Sequence, residues 1–233
     1  LDERVKNYQW GKDLYGARKS DFDKGHMTRR EDVQWGETDD VAKIAADSTF
    51  YYTNAVPQHK DLNQDVWKNL EDYILHKETR KKSLKICVFT GPVLSMNDPE
   101  FVTPVNGEKI KLPTIFWKVV IYPKEDGKLY RAGFLMGQKK LLIEDGIIKL
   151  PLKVTPSAVD EPFSRFDDAE TYQVNISLIE QLTDLKMPKA KDAYKDDRNR
   201  KLVMKEIEIY ESGARPRFAG RSEPSFTIAN IVL

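Results

Sequence analysis

The middle of the chain reads Ile115-Phe116-Trp117-Lys118-Val119-Val120-Ile121-Tyr122. Because successive side chains of a strand point to opposite faces, an almost unbroken apolar run predicts a central strand that is covered on both sides. The turn-forming residues 125–128 separate it from a second strand-like run, Leu129–Met136, which indicates a hairpin. A third run, Leu84–Thr90, precedes both. These runs predict a central, mostly antiparallel sheet.

The clearest helical pattern lies between Leu62 and His76, with Asp61 at the N-cap position. Its apolar stripe repeats at three- and four-residue spacing and consists of Val66, Trp67, Leu70, Tyr73 and Ile74. A second helix should begin near Ser177, because Ser177 and Glu180 have the spacing of a capping box, and Pro188 should end it. A sheet with helices packed on it is an α+β fold, and that is the fold we predict.

Three further segments have weaker patterns. The aromatic and β-branched run Thr49–Asn54 favours a strand that is closed by Pro57. The charged stretch Lys189–Lys201 is typical of a mobile linker or an exposed loop. After it, residues 202–210 alternate enough to form a strand, and the apolar run Phe226–Leu233 is expected to dock on the body or on a partner. We therefore predict a main domain over residues 1–188 and a charged C-terminal extension over residues 189–233.

Composition bounds the class of protein. The chain has 233 residues, of which 40% are hydrophobic, so it can fill a core as one large domain or as one domain with an extension. No apolar run approaches the roughly 20 residues of a membrane-spanning helix, and no signal peptide opens the sequence. The single cysteine, Cys87, lies in a run that predicts a buried strand, so stability needs no disulfide. This is compatible with the cytoplasm, but the sequence leaves localisation open.

The net charge of +1 gives no global indication of nucleic-acid binding, yet basic residues are unevenly distributed. Residues 1–30 contain eight lysines and arginines against five acids. A second basic cluster consists of Lys77, Arg80, Lys81, Lys82 and Lys85. Such clusters can bind phosphate groups without reading base sequence. Solvated surface charge explains each cluster equally well.

Four residues in chain order could serve phosphodiester hydrolysis: His26, Asn54, Asn63 and Glu71. A neutral imidazole can take a proton from water near neutral pH. Mg²⁺ keeps most of its water ligands, so one amide oxygen is enough to bind it. Glu71 follows Asn63 by eight residues, about 12 Å along a helix, which suits hydrogen bonds to metal-bound water better than direct coordination. Taken singly, each residue has an ordinary structural explanation in a turn, at a helix start or on a solvated surface.

Together, these residues lie in ordered motifs. The motifs read Asp23-Lys24-Gly25-His26-Met27, Thr53-Asn54-Ala55-Val56-Pro57-Gln58 and Leu62-Asn63-Gln64-Asp65-Val66-Trp67-Lys68-Asn69-Leu70-Glu71. Further blocks follow at residues 88–92, 113–118 and 179–183. Over about residues 14–188 the chain resembles the DNA/RNA non-specific endonuclease family, which includes mitochondrial endonuclease G and secreted bacterial nucleases.

The resemblance implies a ββα-metal site in which two strands and a helix hold one Mg²⁺, with Mn²⁺ as an alternative ion. His26 would match the general base, Asn63 the one direct metal ligand and Glu71 the carboxylate that orders the water shell of the metal. Asn54 would match an asparagine that supports this geometry. Products would carry 5′ phosphates.

Three features depart from the family pattern. Lys24 stands where the family usually has arginine, so the charge is kept while the bidentate fork is lost. Leu75 stands where some members have an arginine that contacts phosphate. Only 22 residues precede Asp23, so a usual N-terminal strand is expected to be missing from this sequence, and an upstream domain is left open.

We therefore predict a metal-dependent endonuclease that hydrolyses DNA and RNA without sequence preference. The candidates for contacting the substrate backbone are Lys24, Arg29 and Arg30, and of these we assign Lys24 to the catalytic residues. A homodimer is left open. The alternative from another class is a catalytically degenerate module that binds nucleic acid or a protein, and a third is an unrelated structural α+β domain.

Overall fold

The computed structural model describes residues 1–5, 9–16, 22–62, 67–74, 85–149, 170–207 and 225–233. Its strands are β1 (Phe22–His26), β2 (Ala55–His59), β3 (Cys87–Val93), β4 (Ile115–Pro123), β5 (Leu129–Gly137), β6 (Thr171–Val174), β7 (Lys191–Asp192), β8 (Arg200–Lys201), β9 (Met204–Ile207) and β10 (Ser225–Ile228). Its helices are α1 (Lys12–Tyr15), α2 (Arg30–Val33), α3 (Asp39–Ser48), α4 (Lys68–Asp72), α5 (Lys139–Glu144) and α6 (Ile176–Thr183).

The main sheet confirms the predicted α+β fold. Its strands follow the order β3-β4-β5-β6-β8 in antiparallel pairs, and β7 adds a short parallel pairing to β5. The hairpin between β4 and β5 turns where predicted, because Gly127 adopts a positive φ of 71° and the Lys124 amide donates to the Lys128 carbonyl at 3.0 Å. Cys87 was expected to be buried, but it is exposed. The reason is that β3 forms an edge of the sheet and its first residues are only partly covered.

The two faces of β4 differ in character. One face, which we call the apolar face, consists of Trp117, Val119 and Ile121 packed against Ile176 and Ile179 of α6. Gly133 of β5 gives α6 room, since a Cβ there would lie 2.8 Å from a methyl group of Ile179.

The opposite face, which we call the charged face, carries Phe116, Lys118 and Val120. Phe116 packs with Met27, Leu62 and Trp67, and Val120 packs with Leu70 and Ile74. These partners belong to the segment after β1 and to the helical segment around α4.

Strands β1 and β2 form a separate two-stranded antiparallel ribbon, in which His26 lies opposite Ala55. The prediction of a strand at Thr49–Asn54 was wrong. Residues Tyr52–Asn54 form a 3₁₀ turn, and the strand follows as Ala55–His59 with Pro57 inside it. A two-stranded ribbon leaves an outer edge on each strand, and proline is tolerated at such edges.

Both predicted helices are present, with corrected details. The structure describes helical conformation at residues 60–62 and 67–74, of which α4 is the regular part, while residues 63–66 and 75–76 lie outside the described residues. The predicted capping box of α6 does not form. Asn175 is the N-cap and accepts from the Leu178 amide at 2.9 Å, whereas Glu180 accepts from the amide of Met187.

The C-terminal residues pack on the body. Strand β10 pairs with β9, Ile228 is buried, and the Gln173 side chain forms two hydrogen bonds with the backbone of Val232, at 2.7 and 2.9 Å. The stretch predicted as a linker contributes β7, β8 and the buried Tyr194. Strands on both sides of residue 188 thus join one sheet, and a domain boundary there stays a prediction.

No helix in the described part of the chain combines the length and apolar character that crossing a membrane requires.

Candidate active site

His26 ends strand β1 with its side chain exposed, on the same side of the ribbon as the exposed Lys24 two residues earlier. The Lys24 ammonium lies 5.7 Å from the centre of the Tyr52 ring. Gly25 lies between Lys24 and His26 and is required by close packing. A Cβ at this position would lie 1.9 Å from the side-chain oxygen of the fully buried Gln58. The sequence around His26 therefore fits one arrangement of the ribbon, with the imidazole presented outward.

Asn54 fixes the chain that follows His26. Its side-chain oxygen accepts from the Thr28 amide at 3.0 Å, and its side-chain nitrogen donates to the carbonyls of Thr28 at 2.7 Å and Thr49 at 3.0 Å. Its own carbonyl accepts from the Met27 amide at 2.9 Å. Asn54 therefore acts on the position of His26 through the backbone.

Arg29 connects the same segment to α4. Its Nε lies 3.3 Å from Asp32 and 3.3 Å from Glu71, and its Nη1 donates to Asp72 at 2.7 Å. The side chain is only 14% exposed, and Nη2 is buried without a hydrogen-bond partner among the described residues. Arg29 thus faces three carboxylates inside the protein, while Arg30, which begins α2, is exposed.

Glu71 lies at the centre of these charges. One carboxylate oxygen accepts from the Lys118 ammonium at 3.0 Å, and the other faces Arg29. Glu71 is 4% exposed and Lys118 is 2% exposed, so both charges are removed from water. Burial raises the pKa of the Glu71 carboxyl, and Lys118 and Arg29 oppose that shift. We call Arg29, Asp32, Glu71, Asp72 and Lys118 the ion cluster.

A small pocket opens beside the ion cluster. It is lined by Asp32, Glu71, Ile74, Val88 and Lys118. Glu71 therefore borders a small open space, and an ionised carboxylate offers about four lone-pair positions for hydrogen bonds.

A second polar network holds the ribbon to the main sheet. The buried Gln138 accepts from the His59 amide at 2.8 Å and donates to the carbonyls of Pro57 and Pro113. The His59 ring accepts from the Asp61 amide at Nδ1, so Nε2 carries the proton and donates to Asp145 at 2.8 Å. This hydrogen bond lowers the pKa of the Asp145 carboxyl.

Comparison with known proteins identifies the family of the chain. The sequence profile described as DNA/RNA non-specific endonuclease matches residues 1–193. The chain belongs to the DNA/RNA non-specific endonuclease family.

Individual family relatives are similar over part of their length. Uncharacterized protein y4fB of Sinorhizobium fredii is 35% identical over 65% of this chain and 23% of that protein. Mitochondrial endonuclease G of Bos taurus is 29% identical over 51% of this chain and 39% of that protein. A solved complex of EndoG with EndoGI aligns with a TM-score of 0.48 and 23% identity, over 76% of this chain and 62% of that one. The matched region therefore spans well under half the length of these two curated relatives.

The structure connects some of the predicted site residues of this endonuclease-family chain. Glu71, Arg29 and the segment after His26 are joined by direct contacts, and Asn54 supports that segment. Lys24 and Arg30 lie on the surface, outside the ion cluster. Asn63, the predicted metal ligand, lies outside the described residues, as do Leu75 and most of the second basic cluster.

The described donor atoms set a limit on how a metal could be held. Within the described ranges, no three histidine, cysteine or acidic side chains form a group that could hold a metal. A Mg²⁺ ion that keeps most of its waters does not need such a group, and a buried carboxylate such as Glu71 is the kind of group that can order those waters.

Sequence reasoning missed Lys118, Asp32 and Asp72. For Lys118 a signal existed, because it is the one charged residue in a run predicted to be covered on both faces. A charge in such a place predicts a buried partner. Asp32 and Asp72 carry no comparable local signal.

Proposed function

We propose that this chain is a metal-dependent endonuclease that hydrolyses phosphodiester bonds of DNA and RNA with little base preference. The observation that carries the proposal is the link between an exposed His26 and a buried carboxylate: the segment following His26 is tied through Arg29 to Glu71. Membership of the endonuclease family supports it, and the relative in Bos taurus is named as a mitochondrial endonuclease.

His26 is the general base in this proposal. Its exposed imidazole accepts a proton from a water molecule, and that water attacks phosphorus in line with the leaving 3′ oxygen, which leaves a 5′ phosphate on the product. Asn54 keeps the imidazole aligned by fixing Thr28. Lys24, exposed on the same side of the ribbon, contacts the substrate backbone. Contact with phosphate and sugar, in place of base edges, makes cleavage indifferent to sequence.

Asn63 would hold one Mg²⁺, and Glu71 would accept hydrogen bonds from the waters around it. When bound, the ion neutralises charge on the phosphate and supplies a proton donor for the leaving oxygen. Among the predicted substrate contacts, Arg30 has the exposure for that role. The contacts of Arg29 with three carboxylates support a role in holding the site together.

The test is digestion of plasmid DNA and of RNA with Mg²⁺, with excess EDTA, and with the variant His26→Ala. Loss of a general base should reduce the cleavage rate by about 10²–10⁴-fold, while the melting temperature stays close to the wild-type value because the side chain is exposed. Lys60→Ala, at an exposed position just after β2, is the matched control.

Cleavage that persists in EDTA would contradict the metal requirement, and full activity of His26→Ala would contradict the assignment of the base. Binding of DNA by the wild type without any cleavage would favour the degenerate binding module.

A further inference from the structure

Lys118 lies in the middle of β4 and is 2% exposed. Its neighbours on the same face of the strand, Phe116 and Val120, are hydrophobic and buried. A lysine in such a position is unfavourable unless its charge is paired, because an ammonium group loses its hydration on burial. The groups that surround Lys118 must therefore stabilise its buried charge.

Two partners hold the Lys118 ammonium group. It donates to Glu71 at 3.0 Å, and it lies 4.7 Å from the centre of the Trp67 ring, whose face attracts a cation. Trp67 is 1% exposed and packs with Phe116. The aromatic ring and the carboxylate thus fix the ammonium group from separate positions on one helical segment.

Glu71 is consequently held at both oxygens. Lys118 of the sheet contacts one oxygen, and Arg29 of the segment after β1 contacts the other. A carboxylate gripped from two elements has little freedom to rotate. An ionised carboxylate has further lone-pair positions, and the Glu71 side chain also lines the pocket beside the cluster.

We propose that Lys118 is a positioning residue that holds the Glu71 carboxylate in the orientation in which it accepts hydrogen bonds from the water shell of a divalent cation. This inference rests on the proposed function and assigns a role to the last residue of the block 113–118, for which the resemblance implied none. Lys118 does not touch substrate or metal. It acts through Glu71.

The experiment compares Lys118→Met with Lys118→Arg and with Val119→Ala. Val119 is the next residue of β4, is equally buried and belongs to the apolar face, so its truncation controls for loss of packing. Binding of Mn²⁺ is measured by isothermal titration calorimetry without nucleic acid, and cleavage is measured as a function of Mg²⁺ concentration.

Loss of a partner that orients a metal-shell group should weaken Mn²⁺ binding by about 10-fold or more in Lys118→Met. Lys118→Arg, which keeps a cationic donor, should recover most of that loss, and Val119→Ala should bind Mn²⁺ like the wild type. Equal Mn²⁺ affinities for Lys118→Met and Val119→Ala would overturn the inference.

If Lys118→Met does not fold, the double variant Glu71→Gln/Lys118→Met removes both charges and leaves no unpaired buried ion. It should bind Mn²⁺ as weakly as Glu71→Gln alone, because Lys118 acts only through Glu71. A further loss of similar size in the double variant would refute this role. A wild-type protein that neither binds Mn²⁺ nor cleaves nucleic acid would instead refute the proposed function itself.

Discussion

The apolar face and the charged face of the main sheet share one strand but differ in what they tolerate. On the apolar face, Trp117, Val119 and Ile121 meet α6 through hydrocarbon contacts only. On the charged face, the same strand presents Lys118 to Glu71, next to the segment that follows His26. The first face contributes stability through burial of apolar area. The charged face buries less apolar area and contributes less stability in this way, but it fixes the positions of charged groups.

The largest contrast is expected between Asn54→Ala, which disturbs the segment next to the charged face, and Ile179→Ala, which disturbs the packing of the apolar face. Asn54→Ala removes two hydrogen bonds to Thr28, in the segment after His26, and a third to the Thr49 carbonyl. Misplacement of the base should lower the cleavage rate by up to about 10²-fold. Ile179→Ala truncates a fully buried side chain and should cost about 2–5 kcal/mol of unfolding free energy, with an unchanged rate for the folded fraction. Both variants are measured by urea unfolding and by plasmid cleavage. A catalytic loss in Ile179→Ala together with a purely structural loss in Asn54→Ala would contradict the comparison.

A smaller contrast is expected from two glycine substitutions. Gly133→Ala brings a methyl group against Ile179 and Ile176, and the strain should destabilise the protein by about 1–3 kcal/mol without altering the cleavage rate. Gly25→Ala forces the buried side chain of Gln58 to move and disturbs the strand at the residue before His26, so the cleavage rate should fall as well. Rates measured well below each melting temperature separate the two outcomes. An active, destabilised Gly25→Ala would show that the ribbon tolerates rearrangement.

The smallest effect concerns the attachment of the ribbon. The His59 hydrogen bond lowers the pKa of Asp145 below 3.8, so ionised Asp145 is favoured by folding. Its contribution to stability is therefore present above the unfolded-state value and is lost as the pH falls through the lowered pKa. Asp145→Asn should reduce the melting temperature slightly near neutral pH, and the difference from wild type should vanish in acid. A difference that persists in strong acid would point to packing in place of charge.

Much of the fold was predictable because the patterns involved are local. The run at 115–122 is apolar on both faces and the turn at 125–128 contains glycine, so β4 and β5 could be placed almost to the residue. The ribbon strand β2 was misplaced because Pro57 usually ends strands, and the two-stranded pairing that tolerates it is a tertiary property. The burial of Cys87 was predicted wrongly for a similar reason. Exposure depends on the order of strands in the sheet, which the sequence of a single strand does not reveal.

The site was predictable where residues form motifs and unpredictable where they form contacts. His26, Asn54 and Glu71 could be selected from spacing and resemblance. The pairing of Lys118 with Glu71 joins residues 47 positions apart, and the carboxylates that surround Arg29 come from two different helices. These three carboxylates hold the Arg29 side chain inside the protein, and no local sequence pattern predicts that arrangement.

Asn54 has a consequence for the chemical durability of the protein. Its side-chain nitrogen is the donor in both bonds to carbonyl oxygens, those of Thr28 and Thr49. Deamidation would replace this nitrogen with oxygen and set a negative charge against two acceptors, while leaving the shape of the side chain almost unchanged. We therefore expect deamidation at this one amide to lower both the melting temperature and the cleavage rate of a stored sample, and a mass measurement would identify the altered molecules.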